Sequence, residues 1–222
     1  FMDAGLPHQS GMKPLKFDEK HSTKYCIPLS LRDEQIKSAL KRVKNRMQPA
    51  KRDRVDSIAV VCYGPSLKKN WQEIKKFKNI ITCSGAHKFL LDKGISPKGR
   101  EWWHVDVDPR EHKVALLGKP RKGIHYLASS TCHPKYFDAL EGHDVALWHV
   151  FDNSEQAASV LPRGEWCFTG GSNVGMRAMV LARFLGFVNQ EVFGMDGCFE
   201  GKARHAGEHP NPGVAEFKTE LN

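Results

Sequence analysis

One stretch constrains the fold more than any other, the run Ile58-Ala-Val-Val-Cys-Tyr-Gly-Pro-Ser-Leu67. Its first five residues are all apolar, which is typical of a parallel strand buried on both faces. Gly64 allows a tight turn, and Pro65 and Ser66 suit the start of a helix over Leu67–Phe77, with Ser66 as its N-cap. The run therefore predicts a strand, a turn and a helix in immediate succession.

The turn Gly64–Leu67 has two interpretations. A helix N-terminus at the end of a buried strand carries N–H groups without partners and a partial positive charge, which suit a phosphate or a carboxylate. An ordinary strand–turn–helix joint accounts for the same residues without any ligand.

Strands and helices alternate from Ser57 to the end of the patterned region, which favours an α/β fold with a mostly parallel sheet and helices on both faces. The apolar runs predict strands over Ser57–Cys62, Asn79–Cys83, Trp102–Asp106, Ile124–Ser129, Val145–His149 and Gln190–Met195. The helical patterns cover Leu67–Phe77, Ala86–Lys93, Glu111–Leu117, Pro134–Leu140, Ser154–Val160 and Asn173–Leu185.

Charge divides the chain into two predicted parts. Residues 1–55 hold 13 Lys/Arg against 6 Asp/Glu, a net charge of +7, whereas residues 56–222 carry only +2. We expect a basic extension with one helix, Asp33–Met47, capped by Ser30 or Asp33, followed by the main domain. Such an extension suits nucleic acid (through residues 32–54), an acidic partner or anionic lipid, but a solvated helix face explains it as well.

Two membrane signals are missing from the sequence. No apolar run approaches the ~20 residues that span a bilayer, and Phe1–Phe17 has no apolar core like that of a signal peptide.

None of the six cysteines forms a CxxC pair, so the pattern favours buried thiols in a reducing cytosol over disulfides or zinc. We therefore expect a cytoplasmic protein, and the oligomeric state is not predicted.

Polar residues collect at the predicted strand ends, which meet at one edge of a parallel sheet. Asp106 and Asp108 are two apart and would face the same way in an extended segment, so they could share Mg²⁺. One capping and one salt-bridged aspartate explain the pair equally well. Ser84 and Asp196 follow two further predicted strands.

A second glycine-rich turn, Thr169–Gly175, precedes an amphipathic helix. Such a turn is another possible anion site built from N–H groups. It matches neither the P-loop nor the GxGxxG pattern, so neither the ATPase nor the NAD-binding interpretation is supported. The candidate nucleotide-binding residues in it are Gly170, Gly171, Ser172 and Asn173.

Two histidines near the C-terminal end are candidate general bases. His205 and His209 lie four apart, but Gly207 and Pro210 oppose the helix that a zinc site of this spacing would need. A loop that brings either histidine to the sheet edge could use it as a base toward an acceptor hydroxyl. An exposed histidine in a loop is the alternative.

Several of these segments, in order, resemble a known group of proteins. They include Gly64–Leu67, Ala86–Pro97, Asp106, Ser130–Phe137, Gly170–Gly186, Phe193–Asp196, His205-Ala206 and Asn211. Over roughly residues 57–212 the chain resembles the 6-hydroxymethylpterin diphosphokinase MptE-like family, a domain also found in phage proteins, and the related bacterial sialyltransferases and motility-associated flagellin glycosyltransferases.

The resemblance implies a Rossmann-like, doubly wound domain that binds a nucleoside phosphate between Gly64–Leu67 and Gly170–Asn173. Sialyltransferase-like members commonly have Asn at the position of Ser84 and often Tyr near Phe199, so these departures weigh against a CMP-sugar donor. In diphosphokinase-like members a carboxylate near Asp106 would serve a metal. The cytoplasm would be that of a host if the protein is phage-encoded.

We therefore predict a nucleotide-dependent transferase that moves a glycosyl or a diphosphate group. Its donor would be ATP or a nucleotide sugar, with Asp106 and Asp108 as metal ligands and His205, His209 and Asp196 as catalytic residues. Two alternatives stay open. One is a non-catalytic nucleic-acid-binding or assembly protein that uses the basic extension, and the other is a transferase that modifies nucleic acid.

Overall fold

A computed structural model describes residues 27–151, 159–171, 173–197, 200, 201, 203 and 205–207. Its centre is a seven-stranded sheet in the order β6-β5-β4-β3-β2-β1-β7. The strands are β1 (Ile58–Val61), β2 (Asn79–Cys83), β3 (Glu101–Asp106), β4 (His125–Ser129), β5 (Asp144–Val150), β6 (Cys167–Phe168) and β7 (Gln190–Phe193). Every pairing is parallel, so the predicted α/β architecture is confirmed.

Helices cover both faces of the sheet. The α-helices are α1 (Leu29–Arg42), α2 (Leu67–Asn70), α3 (Ala86–Asp92), α4 (Pro134–Ala139) and α5 (Val174–Phe184), and 3₁₀ helices span Trp71–Lys76 and Glu111–Leu116. The apolar core on one face includes Leu67 of α2, Leu90 of α3 and Phe137 of α4. The core on the other face includes Ala178 and Leu181 of α5. None of the described helices is long and apolar enough to cross a bilayer.

The first helix differs from its predicted bounds at both ends. It begins at Leu29 after Pro28, whose carbonyl accepts the Arg32 N–H, so neither Ser30 nor Asp33 is the cap and its first turn carries no acid. It ends at Arg42 because the next residues pair with β5. The Met47 N–H donates to the Leu147 carbonyl at 2.9 Å, and backbone pairing of this kind replaces the helical hydrogen bonds.

Two further differences concern short elements. The helix predicted over Leu67–Phe77 is a single α-helical turn followed by the 3₁₀ helix. Ile74 within that helix and Phe77 directly after it, three residues apart, are both buried in the core. Strand β6 was not predicted, since two residues carry no periodic signal. The predicted helix Ser154–Val160 falls mostly outside the described residues.

The basic extension packs on the main domain along most of its described length. Ala39 and Met47 each belong to one of the two cores, and Ile36 is buried as well. Arg42 forms an ion pair with Asp138, and Arg46 donates to Glu165 at 2.7 Å.

Candidate functional site

The strand order creates one topological switch point at the carboxyl edge of the sheet, and we call the opening expected there the crevice. The connection from β1 to β2 runs through α2 on one face, and the connection from β6 to β7 runs through α5 on the other. Strands β1 to β6 extend the sheet in one direction, whereas β7 returns to pair with β1 on the other side, so the strand order reverses between β1 and β7. In open α/β sheets ligands bind outside the strand ends at such a switch point. The residues that follow β1 and β7 therefore line the candidate site.

The turn after β1 is held from within by the end of β7. The Ser66 N–H donates to Asp196 Oδ2 at 2.8 Å, and the Ser66 hydroxyl donates to Asp196 Oδ1. The Gly64 N–H donates to the Gly194 carbonyl at 2.7 Å, and a methyl group on Gly64 would lie 2.5 Å from Asp196 Oδ2. The anion at this helix start is thus a carboxylate of the chain itself.

This arrangement corrects the expected capping role of Ser66. The residue has helical backbone angles, φ −60° and ψ −22°, and its side chain makes no capping bond to α2. Its two donors are both used by Asp196. Donor binding by Gly64, Pro65, Ser66 and Leu67 stays a prediction, and a phosphate that used the Ser66 N–H would have to replace Asp196.

The start of α5 reaches the same crevice from the opposite face. Asn173 caps the helix by accepting the Met176 N–H at 2.9 Å. A methyl group on Gly175 would lie 2.6 Å from Cys62 Sγ and 2.9 Å from Met195 Cε, so the helix start lies directly against the ends of β1 and β7. The first N–H groups of a helix have no partner within it, so α5 directs donors toward this point. Gly175 was not predicted as a site residue, although it belongs to the same glycine-rich turn.

The glycine pair before α5 lies to one side of this contact. Gly170 and Gly171 have positive φ angles of 135° and 80°, which favour glycine. A methyl group on either would collide with Val180 or Met176, on the outer flank of α5. Ser172, the predicted residue between this pair and the helix, lies outside the described residues.

Tyr63, the residue before Gly64, is packed between two segments at the sheet edge. The His205 ring stacks on the Tyr63 ring with centroids 5.6 Å apart, and the Ala206 N–H donates to the Tyr63 carbonyl at 2.9 Å. Gly85 lies against the Tyr63 ring so closely that any side chain there would collide with it. Ser84, the predicted site residue before Gly85, has a φ of 53°, an uncommon left-handed conformation.

The candidate base His205 therefore lies next to the turn after β1. His209 and Asn211 fall outside the described residues. A cavity of about 570 Å³ opens beside Tyr63, a size that accepts small ligands. It is lined by Tyr63, Gly85, Lys88, Phe89, Asp92, Lys93, Ala115, Leu116, Ala206 and Gly207.

Asp106 and Asp108, the predicted metal ligands, each have hydrogen-bond partners of their own. Asp106 ends β3 and is buried, and its Oδ1 accepts the N–H groups of Val107 and Asp108. Arg110 donates to both carboxylate oxygens of Asp108, at 2.9 and 2.7 Å. Within the described part of the chain, no group of three or more His, Cys, Asp or Glu is arranged for a metal ion. The local turn at Asp106 replaces the extended segment on which the shared-metal prediction depended.

Burial and pairing give the two carboxylates different acidities. Burial raises the pKa of Asp106 to about 6, although the two backbone N–H groups act in the opposite direction. The pKa of Asp108 is lowered: burial, which would raise it, is outweighed by Arg110 and Lys113. Asp106 is thus the one of the pair that can gain or lose a proton near neutral pH.

A buried polar chain, which was not predicted, lies at the ends of β4 and β5. His149 Nδ1 is 2.8 Å from Ser130 Oγ, and His149 Nε2 is 3.2 Å from Glu165 Oε2. Glu165 Oε1 accepts from Arg46 of the extension. Burial lowers the pKa of His149 despite Glu165, so the ring is neutral at neutral pH. Ser130 and His149 are 1% exposed, so these hydrogen bonds lie inside the protein, beneath the carboxyl edge of the sheet.

Comparisons with known proteins agree with this geometry at the level of fold and family. A solved MAf glycosyltransferase from Magnetospirillum magneticum AMB-1 superposes with a TM-score of 0.60 and 22% sequence identity, and shares the fold. The alignment covers 75% of this chain and 28% of that chain, so the chain spans little more than a quarter of its neighbour's length. No curated protein sequence matches the chain.

A family model also matches the chain. The match covers residues 33–202 and so includes part of the basic extension. It contains β1, the turn after it, α5 and Asp196, which together form the crevice. The chain belongs to the 6-hydroxymethylpterin diphosphokinase MptE-like family.

Proposed function

We propose that this protein is a nucleotide-dependent transferase whose nucleoside phosphate donor binds at the crevice between β1 and β7. One observation carries the proposal: the starts of α2 and α5 reach the end of β1 from opposite faces, through Ser66 and Gly175. Helix starts favour negative charge; Asp196 supplies it at the start of α2, and the N–H groups at the start of α5 suit the phosphates of a donor. The family and the glycosyltransferase-like fold support transfer chemistry.

In this proposal the residues divide into two roles. Asp196 positions the turn Gly64–Leu67 by holding Ser66, and the N–H groups at Asn173 and Gly175 approach the donor phosphates from the other side. Ser84, Gly170, Gly171 and Ser172 complete the predicted donor site. His205, held against Tyr63, or His209 takes the proton from the acceptor hydroxyl.

The transferred group is a glycosyl or a diphosphate group, and the donor is ATP or a nucleotide sugar. Because Arg110 occupies both oxygens of Asp108, the Asp106–Asp108 pair does not fit a shared Mg²⁺ ion as it stands. If magnesium takes part, it would enter with the donor phosphates.

A thermal-unfolding panel tests donor binding. ATP, GTP, CMP, UDP and CDP are added separately, with Mg²⁺ or with EDTA. A ligand present at ~100 times its Kd stabilises the folded state by about 2.7 kcal/mol, and we expect at least one nucleotide to do so. Gly175→Val should abolish that shift, because the side chain would collide with Cys62 and Met195 and displace the start of α5.

A matched variant on the same helix, Ala182→Val, separates this effect from general core damage, since Ala182 is buried in α5 away from the helix start. Both variants are first compared without ligand by their unfolding midpoints. The proposal fails if no nucleotide stabilises the wild-type protein, or if Gly175→Val and Ala182→Val respond to the nucleotide alike.

A further inference from the structure

The main domain has its own strongly basic segment. Residues 68–100 hold nine Lys/Arg against two Asp/Glu, a net charge of +7, although residues 56–222 as a whole carry only +2. The segment includes α2, the 3₁₀ helix Trp71–Lys76 and α3, which pack on the same face of the sheet. Positive charge is therefore concentrated on this face of the sheet.

Aromatic rings and lysines alternate across this face in one continuous series of contacts. Lys75 Nζ lies 4.9 Å from the Trp71 ring centroid, and Lys93 Nζ lies 5.7 Å from the Trp71 centroid and 5.5 Å from that of Phe89. The Phe89 and Tyr63 centroids are 6.4 Å apart. We call this series the aromatic–lysine track, and its Tyr63 end borders both the crevice and the 570 Å³ cavity.

The charges of the track are available to a ligand. Lys75 and Lys93 are exposed, and neither has an acidic partner among the described residues. Arg42, Arg46 and Arg54 of the basic extension form ion pairs with carboxylates instead. Residues 32–54 contain no Phe, Trp or Tyr, so the track, unlike the extension, combines exposed lysines with aromatic rings.

We propose that single-stranded nucleic acid binds along the aromatic–lysine track. Proteins that bind single strands combine a positive path for the phosphates with aromatic side chains on which successive bases stack. Trp71 and Phe89 supply the rings, and Lys75 and Lys93 supply the charge, whereas Tyr63, on which the His205 ring stacks, marks the end of the track. An acidic protein or an anionic glycan would use the lysines but has no planar bases for the two rings. That the bound strand is the acceptor of the transfer rests on the proposed function; the binding itself does not.

The test uses a fluorescein-labelled twelve-nucleotide oligothymidine and fluorescence anisotropy at several salt concentrations. Each phosphate contact to a single strand contributes about −0.7 to the slope of log K against log salt. We expect Lys75→Glu/Lys93→Glu to weaken binding at least tenfold and to make the slope about 1.4 less steep. Trp71→Ala should weaken binding about tenfold through lost stacking, and Trp71→Phe should restore most of it.

The matched control is Lys37→Glu/Lys41→Glu, which reverses two exposed lysines of α1 in the extension. It should leave the affinity for the oligonucleotide unchanged. Equal losses of oligonucleotide affinity in the two double variants would overturn the track as the binding site. So would polyglutamate that binds as tightly as the oligonucleotide and whose binding Trp71→Ala does not change.

The nucleotide panel separates this inference from the proposed function. Lys75→Glu/Lys93→Glu should keep the wild-type shift with the stabilising nucleotide. If the oligonucleotide binds along the track and no nucleotide stabilises the protein, the track stands and the transferase proposal fails. If a nucleotide stabilises it and no oligonucleotide binds, the track is wrong and the transferase proposal stands.

Discussion

Asp196 shows what a single residue contributes to the crevice. The sequence predicts that the turn after β1 favours an anion, and that preference is real: the Ser66 N–H and hydroxyl both bind a carboxylate. What local reasoning cannot supply is the source of the anion, since Asp196 lies 130 residues further along the chain. The pairing of β7 with β1 brings the two together. The preference of the turn for an anion is set by the local sequence, whereas the residue that supplies the anion is set by the strand topology.

Asp196→Ala tests the structural side of this contact. The Ser66 N–H and hydroxyl would lose their acceptor in a partly buried site, so we expect a loss of about 1–3 kcal/mol in the free energy of unfolding. Asp196→Asn keeps one carbonyl oxygen and should lose less. Urea unfolding measures both, with Asp92→Ala as control, because the Asp92–Lys88 pair is exposed and contributes little. A loss no greater than that of the control would contradict the assigned role.

Asp106 gives a prediction about pH. Its pKa is raised by burial to about 6 from the ordinary 3.8, so the folded protein holds this proton more tightly than the unfolded chain. The stability from Asp106 is therefore fully present below pH 4 and is lost as pH rises to about 6. Asp106→Asn removes that loss while its side-chain oxygen can still accept the two N–H bonds.

We expect Asp106→Asn to match the wild-type stability at pH 4 and to exceed it by about 2–3 kcal/mol at pH 7.5, when both are measured by urea unfolding. The difference between the two proteins is the quantity to follow, since other groups titrate in both. A constant difference between pH 4 and pH 7.5 would show that the Asp106 carboxyl does not titrate in this window.

At the scale of elements, the bounds of strands with long apolar patterns were predicted well. The bounds of short segments, and of segments fixed by tertiary contacts, were not. The strand Asn79–Cys83 has its predicted bounds, β3 and β4 differ by one residue at one end, and β1 and β5 differ by one residue at each end. Helix α1 ends earlier than predicted because Asn45 and Met47 form backbone bonds with β5. A pairing partner a hundred residues away leaves no trace in the local sequence.

The polar chain at β4 and β5 belongs to this scale, because it joins the extension to the sheet. Glu165 accepts from both Arg46 and His149 in a largely buried position. Glu165→Ala would leave Arg46 without its carboxylate and His149 without a partner on Nε2. We expect a loss of about 3 kcal/mol in the free energy of unfolding.

Glu111→Ala is the matched control for Glu165→Ala. Glu111 also pairs with a base and a histidine, Lys135 and His133, but at the surface. Its loss should be much smaller, since exposed ion pairs contribute little. If thermal unfolding gives the two variants equal midpoints, the hydrogen bonds of Glu165 to Arg46 and His149 do not hold the extension against the sheet.

For the whole molecule, the sequence predicted the layers but not the position of the switch point. Alternating strands and helices predict a parallel sheet, and the carboxyl ends of its strands must share one edge. Which two strands flank the crevice depends on the return of the chain from β6 to β7 across α5. The apolar run of β7 is compatible with several neighbours, so this choice is made by packing between distant elements.

The central claim is that a nucleotide binds where α2 and α5 approach the end of β1. Hydrogen–deuterium exchange with and without the stabilising nucleotide tests this claim most directly, because it reports on backbone N–H groups. We predict slower exchange in peptides that cover residues 62–67, 173–177 and 194–197, and no change in α4. Protection confined to other segments, or exchange that no nucleotide alters, would contradict the account.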